Sequence, residues 1–161
     1  MREIIFDTET TGRSADDGDR IVEIGCVEIV NLSPTGRTFH AYVNPERDVP
    51  EEVVRVHGLT GAFLRDKPVF ARIVDDLLEF FGDSPIVAHN AAFDRAFLNA
   101  ELKRLQREPI PTELLIAPAN SVPASVTPRC NGTSGRRSAN RRLTSITFCG
   151  SESFSDTQYR V

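Results

Sequence analysis

The sequence predicts an α/β fold: a mixed sheet, built as an antiparallel meander plus a parallel strand, flanked by helices and incomplete at the C-terminal end. Three observations predict it. Three β-rich segments joined by short polar loops fill the first 43 residues. Two segments of helical period follow, with a short apolar strand between them, an order that adds parallel pairing to a sheet. Beyond Pro111 neither period continues.

Residues 4–8 read as a buried strand, the apolar run Ile4-Ile5-Phe6 leading into Asp7 and Glu9. Gly12 lets the backbone turn where that strand ends. Residues 13–19 are polar and contain glycine, hence a loop. Residues 21–30 are β-branched and long for a strand, interrupted by Glu23 and Glu28. Residues 31–36 carry turn chemistry. Over 37–43, Phe39, Ala41 and Val43 alternate with Thr38, His40 and Tyr42. Residues 69–81 place Phe70, Ile73, Val74, Leu77, Leu78 and Phe81 on one helical stripe, with Pro68 suited to the first turn and Gly82 to the stop. Residues 85–89 form a short apolar strand. Residues 91–106 form a second helix with Phe93, Phe97, Ala100 and Leu105 inside.

At 161 residues the chain has the length of one domain with a sizeable core. The formal net charge of −4 argues against a strongly basic nucleic-acid-binding coat. It leaves open a nuclease whose metal ions supply the local positive charge. Three cysteines without a C-x-x-C pair give no disulfide or zinc framework, so a reducing cytoplasmic setting is expected. No signal peptide and no membrane span are expected. Residues 112–161 differ in kind. They carry six arginines against Glu113, Glu152 and Asp156, are rich in Ser, and hold prolines at 118, 123 and 128. The expected division is a folded domain over 1–111 and an aberrant, poorly ordered tail over 112–161, with 146–148 as a stray strand.

The chemistry lies in two strand ends. Asp7 and Glu9 sit at i and i+2, so as strand residues they share one face. Two crowded carboxylates repel unless a cation stands between them, and hard oxygen ligands suit Mg²⁺ or Mn²⁺. An acidic strand end with no ligand is the plainer account of the pair alone. Farther on, Ile86-Val87-Ala88 runs into His89, Asn90 and, in the first turn of the next helix, Asp94. Strand ends and helix starts gather at one rim in α/β sheets, so Asp94 can meet Asp7 and Glu9 there. The alternative for Asp94 is a helix-start carboxylate favoured by the macrodipole. His89 and Asn90 read as loop anchors.

The run Phe6-Asp7-Thr8-Glu9-Thr10-Thr11-Gly12, followed far downstream by Ala88-His89-Asn90-Ala91-Ala92-Phe93-Asp94, resembles the DEDD superfamily of 3′→5′ exonucleases and, within it, the bacterial proofreading members. Glu52, the run Val56-His57-Gly58-Leu59-Thr60 and Asp66-Lys67-Pro68 are similar to the same members. The likeness covers about residues 1–111. It implies a ribonuclease H-like fold and hydrolysis of the terminal phosphodiester of a DNA strand with two divalent ions, Mg²⁺ or Mn²⁺. It implies Asp7, Glu9 and Asp94 as metal-binding catalytic residues, and Glu52 and His57, beside Asp7 and Glu9, as contacts to the terminal nucleotide. The implied partners are a DNA 3′ end, single-stranded or mismatched, and a polymerase catalytic subunit, with no membrane. On the residues alone Glu52 reads as a solvated helix charge and His57 as a cap or loop hydrogen bond. Leu59 and Phe93 read as core.

The family pattern also needs a His general base followed by a last Asp ligand. This chain has no His after His89, and its only Asp after Asp94 is Asp156. A related branch places Tyr before that Asp, whereas Tyr159 follows Asp156. The change of composition near 112–118 resembles a shift of reading frame or a rewritten end. The expectation is a proofreading exonuclease with impaired activity. The alternatives are an RNA-trimming relative and a non-catalytic domain that docks on a polymerase or holds single strands.

Overall fold

The computed structural model describes residues 1–116. Arg2–Thr10 (β1), Ile21–Val30 (β2) and Ser33–Tyr42 (β3) form the antiparallel meander. Glu51–His57 (α1), Gly61–Leu64 (α2) and Phe70–Phe81 (α3) follow. Ile86–Ala88 (β4) then pairs parallel to β1, with Val87 opposite Ile5. Ala91–Arg104 (α4) crosses back, and Leu115–Ile116 (β5) pairs parallel to β4. Among the described residues the strand order is β3-β2-β1-β4-β5, the mixed sheet expected. The sheet runs on past residue 111 into β5. Residues 117–161 lie outside the described part, and with them the suggested strand at 146–148, Asp156 and Tyr159.

The connection between β2 and β3 is tighter than the sequence suggests. Asn31 and Leu32 alone make the turn, both at positive φ (50° and 65°), and β3 begins at Ser33. Two such residues give the backbone twist that a two-residue hairpin needs. Pro34, which reads as a turn residue, lies inside β3 instead. It is tolerated there because β3 is an edge strand.

Both long helices pack on one face of the sheet. Ile4, Phe6, Ile24, Cys26, Ala41 and Val43 meet Ile73, Leu77 and Phe81 of α3 and Phe97, Leu98 and Leu102 of α4. Phe6 meets Phe81 edge-on, with ring centroids 5.6 Å apart. The stripe of α3 is as its period predicts. That of α4 is not: Leu98 and Leu102 are buried, while Phe93 and Leu105 are only partly so. The reason is that Asp94 and Glu101, two carboxylates, occupy the buried stripe and mask its apolar period. On the other face α1 and α2, which the sequence reading passes over, pack through a small cluster of Val22, Leu59 and Leu64. Their signals are Pro50 followed by two glutamates, and the left-handed Gly58 that stops α1. No helix among the described residues is long and apolar enough to cross a membrane.

Glu101 ties α4 to the sheet. Its carboxylate accepts from Arg20 at Nε (2.7 Å) and Nη2 (3.0 Å), and from the Ile21 backbone N–H at 3.4 Å. The Glu101 side chain is 2% exposed. Removing one partner of a buried pair leaves the other uncompensated, which costs more than the pair itself contributes. Glu101→Ala is therefore expected to lose about 3 kcal/mol in urea denaturation. Arg55→Ala, which breaks only the exposed pair with Glu51, should change stability by less than about 0.5 kcal/mol. Equal losses in the two variants would contradict this account of α4.

Candidate functional site

The way β1 ends sets the site. Ile4, Phe6 and Thr8 turn toward α3 and α4, so Asp7 and Glu9 face the other side of the sheet. Asp7 stands opposite Gly25 and Glu9 opposite Glu23. The register then slips between Glu9 and Thr10, which pairs with Ile21. The slip frees Val22 to pack against Leu59 and Leu64. A bulge thus draws the α1–α2 segment against the strand end that carries Glu9.

Gly12 is required here for a reason other than turning. A Cβ on it would meet Asp19 Oδ2 at 2.1 Å. The Asp19 carboxylate fills that space, accepting from the Thr11 hydroxyl (3.0 Å) and the Ser14 backbone N–H (3.2 Å) and pairing with Arg47 (3.0 Å). The loop after β1 is pinned as a result.

Asp94 lies in the first turn of α4, 3% exposed. The Thr8 hydroxyl donates to its Oδ1 at 2.7 Å. Burial pushes the Asp94 carboxyl above the usual range, while the Thr8 hydroxyl, the backbone of Thr8 and Asp94, and His89 pull it back. The Glu9 carboxyl is also raised, by burial first and then by the negative charges of Glu23 and Asp94. Glu9 and Asp94 are thus near enough to repel. Asp7 does not complete a cage with them. Among the described residues no three His, Cys, Asp or Glu side chains are grouped to hold a metal ion. Asp7 and Glu9 lie on the face of β1 opposite Thr8, and Asp94 accepts from the Thr8 hydroxyl. In kind the donors still fit a divalent cation: hard carboxylate oxygens whose mutual repulsion such an ion would relieve.

His57 ends α1. Gly58 takes a left-handed φ of 83°, which lets the Leu59 N–H turn back and donate to His57 Nδ1 at 3.0 Å. Nε2 is buried with no hydrogen-bond partner. Burial lowers the ring's affinity for a proton, and the Thr10 backbone and the Glu23 charge oppose this. The Thr10 backbone acts on the ring's charge but falls short of hydrogen-bond geometry. His57 therefore does reach the strand ends that carry the carboxylates. Glu52 is exposed in the first turn of α1. Leu59 belongs to the small outer cluster, and Phe93 packs on Phe97 with centroids 4.7 Å apart, so both serve as core.

Two residues at this rim escaped sequence reasoning. Thr8 holds Asp94, a link readable only by combining the strand's alternation with the position of Asp94 in α4. Glu23 faces Glu9 and contacts His40 Nε2 at 2.6 Å, a pairing that depends on the register and the bulge.

An exonuclease family model (RNase_T) matches residues 4–134. The chain belongs to this exonuclease family. As an exonuclease-family chain it is similar to the DNA polymerase III subunit epsilon of Rickettsia conorii, 58% identical over 110 residues, which are 68% of this chain and 48% of that protein. It is 43% identical over 111 residues to the subunit of that name from Escherichia coli K12, covering 66% of this chain and 46% of the other. The chain spans about half the length of these curated relatives. Among solved structures, the metal-free Escherichia coli exonuclease I complex with single-stranded DNA covers 67% of this chain and 25% of its own. Its TM-score of 0.61 at 19% identity supports the exonuclease fold, ribonuclease H-like in its sheet order.

Glu9 supplies a test of the rim's electrostatics. Its folded carboxyl is raised, so above the usual carboxylate range the folded state resists an ionisation that the unfolded chain accepts. The group costs stability at neutral pH and nothing well below the unfolded value. After discounting for solvent screening, Glu9→Gln should be about 0.5 kcal/mol more stable than wild type at pH 7. The gap should close near pH 3, below the ordinary glutamate value. Urea titrations at the two pH values measure it, and a variant less stable at pH 7 would contradict the repulsion.

Proposed function

We propose that this chain acts as a proofreading 3′→5′ exonuclease of the DNA polymerase III epsilon kind. It would act in the cytoplasm on a single-stranded or mismatched DNA 3′ end, beside a polymerase catalytic subunit. The observation that carries the reading is the 58% identity over 110 residues to a protein of that name. The ribonuclease H-like sheet supports it, because the sheet brings the first strand and the start of α4 to one rim.

Asp7, Glu9 and Asp94 are the metal-binding catalytic residues in this reading. A divalent ion, Mg²⁺ or Mn²⁺, supplies Lewis-acid stabilisation of the charge that builds on the phosphoryl oxygens. The chain's own residues do the rest. Asp94 is held by Thr8, and Glu9 bears repulsion from two neighbours, so both are poised to gain from a cation. His57 offers a buried Nε2 that makes no hydrogen bond of normal geometry, and as the neutral ring with Nδ1 already accepting it carries its proton there, toward the Thr10 backbone. That N–H is a donor for the terminal nucleotide. Glu52, exposed on the same short helix, is the second contact to it.

Two features argue for weak catalysis. The described part of the chain supplies three carboxylates, whereas two ions about 3.5–4 Å apart are best held by more. No His follows His89 to serve as the general base. Loss of such a base costs about 10²–10⁴-fold in rate. The absence of that His also favours a second reading, a non-catalytic domain that docks on a polymerase or holds single strands.

A 3′-labelled mismatched primer decides between them. The nuclease reading expects slow release of the terminal nucleotide in Mn²⁺ or Mg²⁺, stopped by chelation and by Asp7→Ala. Faster release from a matched RNA oligonucleotide would make the chain an RNA-trimming relative. Release no greater than that of Asp7→Ala on either substrate would overturn the nuclease reading in favour of the non-catalytic one.

A further inference from the structure

Thr8 stands between the two carboxylates of β1 and takes no part in the chemistry assigned to them. Its side chain points the other way, toward α4, and 8% of the residue is exposed. There the hydroxyl donates to Asp94 Oδ1 at 2.7 Å. A donor to an ionised acceptor makes a short, strong bond. Because Thr is β-branched, its χ1 is stiff and the direction of the donor is fixed with it. Asp94 is thus aimed from β1 itself, the strand that bears Asp7 and Glu9.

The same helix has a second fixed point. Glu101 lies seven residues after Asp94, two turns on, so both carboxylates fall on one stripe. Asp94 is tied to β1 through Thr8, and Glu101 to β2 through Arg20 and the Ile21 N–H. Two anchors on two strands set both the rotation of α4 and its height over the sheet. The Glu101 anchor places the helix, and the Thr8 anchor places one carboxylate oxygen.

We propose that Thr8 is a positioning residue for the cation site: its hydroxyl fixes one oxygen of Asp94 at the end of β1, so that the carboxylate is preset for an ion shared with Glu9. This rests on the reading of Asp7, Glu9 and Asp94 as metal-binding residues. Partners that orient a ligand in this way commonly govern affinity as strongly as many ligands do.

Mn²⁺ calorimetry on the full chain tests it, with Thr8→Ser and Thr8→Ala as a matched pair. Both lose the methyl group, and only Ser keeps the donor. Thermal melts of each variant report folding separately. The expected result is Mn²⁺ affinity near wild type for Ser and about 10–100-fold weaker for Ala. That gap should persist where the two melt at the same temperature. Equal affinities in Ser and Ala, with wild type binding, would remove the role of Thr8 and leave the metal reading standing. No binding heat from wild type would remove the cation site and the role of Thr8 together. Should Thr8→Ala fail to fold, Thr8→Val, which keeps the volume and the branching, replaces it in the same comparison.

Discussion

Like-charge crowding at the end of β1 is the constraint around which the rest is arranged. Glu9 lies across the strand pair from Glu23 and close to Asp94, and its carboxyl is raised by burial first and then by both charges. A fold selected only for stability would not place three acids so near one another. Buried polar contacts surround this rim. Thr8 donates to Asp94, the Arg20–Glu101 pair fixes α4, and Asp19 fills the space over Gly12. Stability given up at a rim and recovered around it is the usual mark of a functional site.

The geometry divides the acids by face. Alternation along β1 turns Asp7 and Glu9 one way and Thr8 the other, and Asp94 accepts from the Thr8 hydroxyl. Membership of the exonuclease family stands on the sequence match, whatever the spacing of the acids. What the spacing bears on is how ready this chain is to bind a cation. The bulge after Glu9 serves the same rim by bringing His57 in beside Thr10 and Glu23.

Much of this was legible in the sequence, and the misses have physical causes. The meander and the parallel β4 follow from apolar and β-branched runs and the alternation of residues 37–43, and α3 from its period of 3.6. The hairpin was read too long because Pro34 and Gly36 look like turn residues, yet an edge strand tolerates both. The buried stripe of α4 was misplaced because Asp94 and Glu101 hide in it, and polar residues carry no apolar period. α1 and α2 are too short to show a period at all. The acidic residues Asp7, Glu9 and Asp94 stand out in the sequence, but their role there comes from the family resemblance. The opposition of Glu23 to Glu9 was not readable, since one extra residue in a bulge reassigns every facing pair beyond it.

The most direct test of the central claim, that the acids at this rim exist to share a divalent ion, is anomalous diffraction from crystals of the chain soaked in Mn²⁺. The account predicts one strong manganese peak at the end of β1, with oxygens of Asp7, Glu9 and Asp94 drawn in to about 2.1 Å. A peak elsewhere on the molecule, or no peak at all, would contradict it.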